Sequence, residues 1–550
     1  MSNAWKNGPG DPPFVIADPQ GGRCITFDPD DKLGSMYMLD HDFKGCVTMA
    51  VSKEVIPESG CVLLDGQKVP HVVKKIQIMS GFEVFMLGVQ LAGRLVDYGV
   101  RARLSISGFT DLNGNVMIPA EFEVITREQT GPLPQYAEHE AIALQAAEEG
   151  IVLLKNDGHA LPVPPSTLNV VGEGVYFFQT CAVGAGKINP RYQVDFRQAV
   201  DADPDYTMNH ELAAFFQAEP QGVPEDALLR RAAEKSDTVV MILVRSSGEN
   251  MDNSTAPGEY ALTDNEKALL RALNRHFAKV VLVLNVGYPI AMDFADDIHV
   301  SAILYNGFGG MLAGQALLNV LAGRTTPSGR LTSTWAKTYD DLPSAGNFYD
   351  CYHNEMQRYT ADFGPHLTTR YDEGVFMGYR YFVTRGRKSA FPFGYGLSYT
   401  TFTETVESVA YQENADAVVS VRVKNTGSCP GKQVVQLYIG KPRTTIDKPL
   451  RELVAFNKTE TLQPGEEQSL TLCVDGRCLD VFSAADQAYL LEGGVYTLYL
   501  GEHGENVREI GCFTVPATIV TRRTQVHMTG ERSTPGYSDA PLYPGVEQLP

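Results

Sequence analysis

Thr238-Val-Val-Met-Ile-Leu-Val244, followed by Arg245-Ser-Ser-Gly-Glu-Asn-Met-Asp-Asn253, is the stretch that decides the fold. Seven uncharged, mostly β-branched or aliphatic residues read as a strand buried on both faces, the pattern of a parallel sheet covered by helices. The polar, glycine-containing run that follows reads as the loop at its carboxyl end. In open α/β sheets ligands bind in the crevice outside the carboxyl ends of the strands. Glu249 sits in that loop, well placed to hand a proton to a leaving oxygen.

Similar strands flank it. Ile151–Leu154, Leu168–Val171, Val280–Leu284 and Ala302–Leu304 are short and apolar, and helical stretches separate them. The spacing predicts helices over Ala137–Gly150, with Gly150 as a cap, and over Ala313–Ala322. It predicts another over Thr263–His276, opened by a Thr263-x-x-Glu266 capping box. Asp264, just inside that helix, suits its dipole. Such alternation builds a doubly wound α/β sandwich, placed at residues 133–338.

Outside this unit the pattern changes. Residues 1–132 read as an Ig-like β-sandwich of short strands such as Cys46–Val51 and Phe82–Leu87, with a turn at Asp111-Leu-Asn-Gly-Asn115. Residues 339–400 are aromatic and glycine-rich, a connecting segment. Residues 401–516 return to strands (Val418–Val423, Val434–Tyr438, Ser469–Leu472, Val495–Leu500) and read as a second β-sandwich, with residues 517–550 as a tail or linker. The fold class is therefore multidomain α/β plus all-β.

Composition limits the function classes. The 550 residues carry 46 basic and 66 acidic side chains, a net charge of −20, which disfavours nucleic acid or an anionic membrane as partner. No apolar run approaches the roughly 18 residues of a membrane span. The first residues lack the basic-then-apolar pattern of a secretory signal, so a cytoplasmic location is expected. The nine cysteines are odd in number and form no Cys-x-x-Cys pair, which indicates neither a zinc site nor a disulfide framework.

An ordered set of stretches over residues 137–516 resembles the non-barrel half of the family 3 glycoside hydrolases, the β-glucosidase and β-xylosidase group. The set comprises Gly150-Ile-Val-Leu-Leu-Lys-Asn-Asp-Gly158, Ser247-Gly-Glu-Asn-Met-Asp252, Pro327-Ser-Gly-Arg-Leu331 and Gly378-Tyr-Arg-Tyr-Phe382. Phe391-Pro-Phe-Gly-Tyr-Gly-Leu-Ser-Tyr-Thr-Thr-Phe402 and Lys424-Asn-Thr-Gly427 complete it. The resemblance implies a fibronectin type III-like fold for the second β-sandwich. It also implies a small β-glycoside or oligosaccharide as substrate, a retaining mechanism and no metal or organic cofactor.

The resemblance makes Glu249 the general acid/base. Retaining glycosidases pair such an acid with a carboxylate about 5–5.5 Å away that attacks the anomeric carbon. In the family that nucleophile lies on a (β/α)8 barrel, and its Ser-Asp-Trp signature is missing here: the tryptophans are Trp5 and Trp335. Asn250 and Asn253 replace the Gly and Arg of the family stretch, which alters the surroundings of the acid. The barrel is then on a partner chain, or on another part of a longer gene product, or has been lost and its function replaced; a homo-oligomer is also left open. A non-catalytic carbohydrate-binding or assembly protein is the alternative, and an enzyme using one carboxyl as a lone acid/base is a third.

Three further residues are candidate substrate contacts. Asp252 is placed to orient Glu249 or a sugar hydroxyl, or to cap a turn. Gly184 and Gly186, in Val183-Gly-Ala-Gly-Lys187, resemble the family's Gly-Ser-Gly loop near the substrate mouth. A lone Gly-x-Gly without the full fingerprint does not indicate a dinucleotide. Glu373 and the aromatics of Phe391–Phe402 read as structural.

Overall fold

The computed structural model describes residues 15–16, 24–27, 46–52, 54–78, 82–91, 100–126, 136–182, 186, 188, 190–246, 255–345, 372–411 and 415–524. Glu249, Asp252, Gly184 and the Asn250 and Asn253 replacements lie outside the described residues, as do the break at Thr130–Pro134 and residues 525–550.

The N-terminal unit contains two sheets. Strands β1 (Val15–Ile16), β3 (Cys46–Val51), β6 (His71–Ile78) and β7 (Phe82–Gln90) form one, in the order β1-β3-β7-β6. Strands β2 (Cys24–Phe27), β4 (Cys61–Leu64), β5 (Gln67–Lys68), β8 (Arg101–Ser107) and β9 (Ala120–Thr126) form the other, in the order β2-β9-β8-β4-β5. The period of two is plain in β8, where Ala102, Leu104 and Ile106 are buried while Arg101 and Arg103 are exposed. These residues meet Met49, Val51, Leu87 and Val89 of the first sheet in one core. At the Asp111–Asn115 turn Gly114 takes the positive φ, and Asp111 Oδ1 accepts from the backbone N–H groups of Asn113 and Asn115.

The central sheet has six strands in the order β10-β15-β14-β13-β11-β12. They are β10 (Val152–Asn156), β11 (Thr167–Val171), β12 (Thr207–Met208), β13 (Thr238–Arg245), β14 (Lys279–Val286) and β15 (Ala302–Tyr305). All neighbours are parallel except β10, which runs antiparallel to β15. Every residue of β13 is buried, as a strand covered on both faces must be.

Helices α1 (Tyr136–Gly150), α2 (Phe196–Ala202) and α6 (Ala313–Leu321) pack together, as do α3 (His210–Ala218), α4 (Asp226–Lys235) and α5 (Asp264–His276). The expected capping box is present at α5: Thr263 Oγ1 accepts from the Glu266 N–H, and Glu266 Oε2 accepts from the Thr263 N–H. One expectation is corrected. Gly150 is the last residue of α1 and does not adopt the left-handed cap, so α1 simply runs into β10.

The connecting segment holds a helix that its composition hides, α7 (Tyr379–Arg385), closed by Gly386 in the left-handed conformation. Glycines of this segment and of the stretch before it are packing devices. A Cβ on Gly329 would lie 2.5 Å from the Ile151 carbonyl oxygen, and one on Gly396 would lie 2.3 Å from the Gly329 oxygen. Phe391, Tyr395, Leu397 and Tyr399 pack against the central core, and Glu373 is buried, as expected of structural residues.

The C-terminal unit is a β-sandwich. Strands β16 (Phe402–Tyr411), β17 (Ala417–Asn425) and β20 (Glu467–Val474) face β18 (Val434–Gly440), β19 (Glu452–Lys458), β23 (Gly494–His503) and β24 (Asn506–Val515) across a shared core. A small third sheet joins β21 (Val481–Ser483), β22 (Ala488–Leu491) and β25 (Ile519–Arg523). The chain expected to be tail from residue 517 therefore first contributes a strand, paired with β22. The sandwich is fixed to the central unit by Glu149 of α1, which receives Lys432 and Lys458 at 2.6 Å each.

Candidate active site at the carboxyl edge

Strands β11, β13, β14 and β15 end along one edge, and the loops that leave it carry the polar groups. β13 ends at Arg245, whose side chain is 5% exposed and pairs with Glu266, 15% exposed. The pairing is a two-pronged fork: Nη1 to Oε1 at 2.8 Å and Nη2 to Oε2 at 2.7 Å. The same guanidinium donates to the carbonyls of Val244 (2.8 Å) and Glu259 (3.0 Å). Arg245 thus ties the end of β13 to Glu259 and to the start of α5. Glu266 in turn is held by Thr263 at the start of α5. Its two oxygens are both engaged, by the Arg245 guanidinium and the Thr263 N–H.

At the end of β14, Asn285 is fully buried and bridges two other loops. It accepts from the Gln179 N–H at 2.7 Å and donates to the carbonyls of Gln179 (2.8 Å) and Gly307 (2.7 Å). Thr180, next in the first loop, accepts from Gly310 N–H and from Gln193 Nε2. Gly186 lies on this pinned loop, exposed, where a Cβ would come 2.9 Å from Ala182 Cβ.

Among the described residues, buried polar atoms of Ser246, Tyr260 and Asn306 lack a partner. Asn306 follows β15, is 7% exposed, and its Nδ2 has no hydrogen-bond partner; nor does the buried Oγ of Ser246, just beyond β13. The register pairs Val244 with Asn285 and Leu284 with Tyr305. With side chains alternating along each strand, Ser246, Asn285 and Asn306 fall on one face, roughly 10 Å across from β13 to β15. Unpaired buried donors are costly in an empty protein and favourable toward a ligand rich in hydroxyl oxygens.

Tyr288, on the loop after β14, and Tyr260 both have hydroxyls pushed up to about 12, chiefly by burial. They are neutral donors at ordinary pH. Among the described residues no group of three His, Cys, Asp or Glu side chains could hold a metal. None of the described helices is long and apolar enough to cross a membrane.

Residues 151–399 match the glycosyl hydrolase family 3 C-terminal domain, and residues 433–504 match the fibronectin type III-like domain. The chain carries the C-terminal domains of glycosyl hydrolase family 3. A β-glucosidase of Ruminococcus albus is 39% identical over 55% of this chain and 31% of its own length. β-Glucosidase A of Butyrivibrio fibrisolvens is 31% identical over 67% of the chain and 50% of its own length. Among solved structures, a β-glucosidase from Paenibacillus barengoltzii superposes with a TM-score of 0.65 at 31% identity, covering 72% of this chain and 45% of that one. β-Glucosidase 3B from Thermotoga neapolitana in complex with glucose gives 0.64 at 30% identity, covering 71% and 56%. This family 3 chain spans about a third to a half of the curated relatives it matches.

The family 3 motifs place their residues unevenly. Of the sequence candidates, Gly186 alone lies among the described residues. Its loop is tied to the edge through Gln179 and Thr180. Sequence reasoning missed Arg245, Glu266, Asn285, Asn306 and Ser246. An arginine closing an otherwise apolar strand was the one available signal, since a charge there must find a buried partner.

Proposed function

We propose that this chain is the acid/base-bearing part of a retaining glycoside hydrolase of the β-glucosidase type, acting on small β-glycosides. Glu249 is the general acid/base, and Asp252, Gly184 and Gly186 face the substrate. The observation that carries the proposal is the braced exit of β13. The Arg245–Glu266 fork and the Glu259 carbonyl hold together described residues on either side of the segment that carries Glu249, and Ser246 and Asn306 have buried polar atoms without a partner among the described residues. A general acid works only when held within hydrogen-bond reach of the leaving oxygen. Similarity to β-glucosidases supports the substrate class.

The nucleophile, in this reading, comes from a (β/α)8 barrel that the described residues do not include. The barrel sits on a partner chain or elsewhere in a longer product. The N-terminal β-sandwich, which we take to be Ig-like, flanks the catalytic unit. A second reading, a carbohydrate-binding or assembly protein, is favoured by one observation: the carboxylate of Glu266 at this edge is committed to Arg245 and Thr263 in a structural fork. Hydrolysis of aryl β- and α-glycosides by the wild type and Glu249→Gln separates the two. Turnover lost in the variant supports the enzyme; sugar binding without turnover in either protein supports the binder.

A further inference from the structure

A polar cleft lies in the fibronectin type III-like domain. It opens where β16 of one sheet meets β23 and β24 of the other, and its volume is about 300 Å³. Glu404, Gln433, Glu502, Asn506 and Arg508 line it, with Phe402 and Val507 as apolar wall. Pockets for small organic ligands begin at about this size.

The polar groups are held in fixed orientations. Arg330, from the central unit, donates to Gln433 Oε1 at 2.8 Å, which turns the Gln433 amide so that Nε2 donates to Glu404 Oε1 at 2.8 Å. Arg508 donates to the Glu404 carbonyl at 2.9 Å, and Asn506 Nδ2 donates to Glu502 Oε2 at 3.0 Å. Burial holds the Glu404 carboxyl above its ordinary value, against the pull of Gln433 and Arg508.

Two carboxyls are matched by two guanidiniums, Arg330 behind the cleft and Arg508 at its rim. That balance selects against a charged ligand. The mixture of carboxyl, carboxamide and guanidinium groups suits vicinal hydroxyls, which both donate and accept, and the Phe402 and Val507 wall suits the C–H face of a sugar ring. We propose that this cleft is a second binding site for an uncharged saccharide, separate from the site at Glu249.

The test titrates the full chain with cellobiose by calorimetry, in a Glu249→Gln background so that turnover cannot consume the ligand. Saturable binding is expected. It is expected to weaken by about 10-fold or more in Glu502→Ala/Asn506→Ala, whose side chains are exposed, with Glu502→Gln as the shape-preserving second variant. Glucosamine and glucuronate are expected to bind more weakly than cellobiose. No saturable binding overturns the proposal. So does binding that survives the double variant but is lost in Asn306→Ala, which assigns it to the carboxyl edge. Tighter binding of either charged sugar refutes the uncharged ligand class. Failure of Glu249 as an acid leaves all these readouts intact.

Discussion

Replacing Glu266 by Gln tests the brace beneath the proposed catalytic loop. The side chains of Arg245 and Glu266 are 5% and 15% exposed, so solvent does little to screen them. Removing one partner of a buried pair strands the other charge, at a cost of about 3–5 kcal/mol. The substituted amide still accepts from Thr263 and from one guanidinium nitrogen, which keeps the loss near the lower figure, about 3 kcal/mol. For a unit of this size 1 kcal/mol shifts the melting temperature by about 2–4 °C, so the fall should be about 6–12 °C. Trp335, buried in the central core, reports the transition by fluorescence. Arg245→Met/Glu266→Leu should recover part of the loss, because an apolar pair often replaces a buried ion pair at little cost. Recovery should be incomplete, since the Val244 and Glu259 carbonyls lose their donor. A Glu266→Gln protein within about 0.5 kcal/mol of wild type would show that the fork does not brace the loop.

Three other outcomes follow from the same geometry. Lys432 and Lys458 hold the Glu149 carboxyl at about 2, against burial that pushes it up. A carboxyl held low contributes stability that is complete above its unfolded value of about 4.5 and is lost as pH falls towards 2. Denaturation at stepped pH should show wild type exceeding Glu149→Gln by about 1–2 kcal/mol near pH 6, with the gap closing through that window. Gly314→Ala should destabilise α6 despite alanine's better helix propensity, because the new Cβ would lie 2.2 Å from the Asp195 carbonyl carbon; thermal unfolding measures it. Asn306→Leu, which removes an unpaired buried donor, should leave thermal stability unchanged or raised while weakening glycoside binding at the edge.

The sequence made β13, β14 and β15 legible because strands buried on both faces must be apolar throughout. Helix α5 was legible because Thr263 and Glu266 advertise its start. Helices α2, α3 and α4 were not, since they are only 7, 9 and 10 residues long, with starts at Asp195, Asn209 and Glu225 that resemble ordinary loop residues. The two-residue strand β12 and the late strand β25 exist through their pairing partners and leave no pattern of their own. Glu249, which lies outside the described residues, was singled out by its place after an apolar strand and by its motif. The roles of Asn285 and Glu266 depend on partners at Gln179, Gly307 and Arg245, contacts between separate loops and strands that no local spacing encodes.

The most direct test of the central claim is hydrolysis of an aryl β-glucoside by the protein isolated from its native host, together with whatever barrel accompanies it, against the same preparation carrying Glu249→Gln. The account predicts turnover in the wild type and a fall of about 100-fold or more in the variant, the contribution of a positioned general acid. Equal turnover in the two preparations, or none in either, would contradict it.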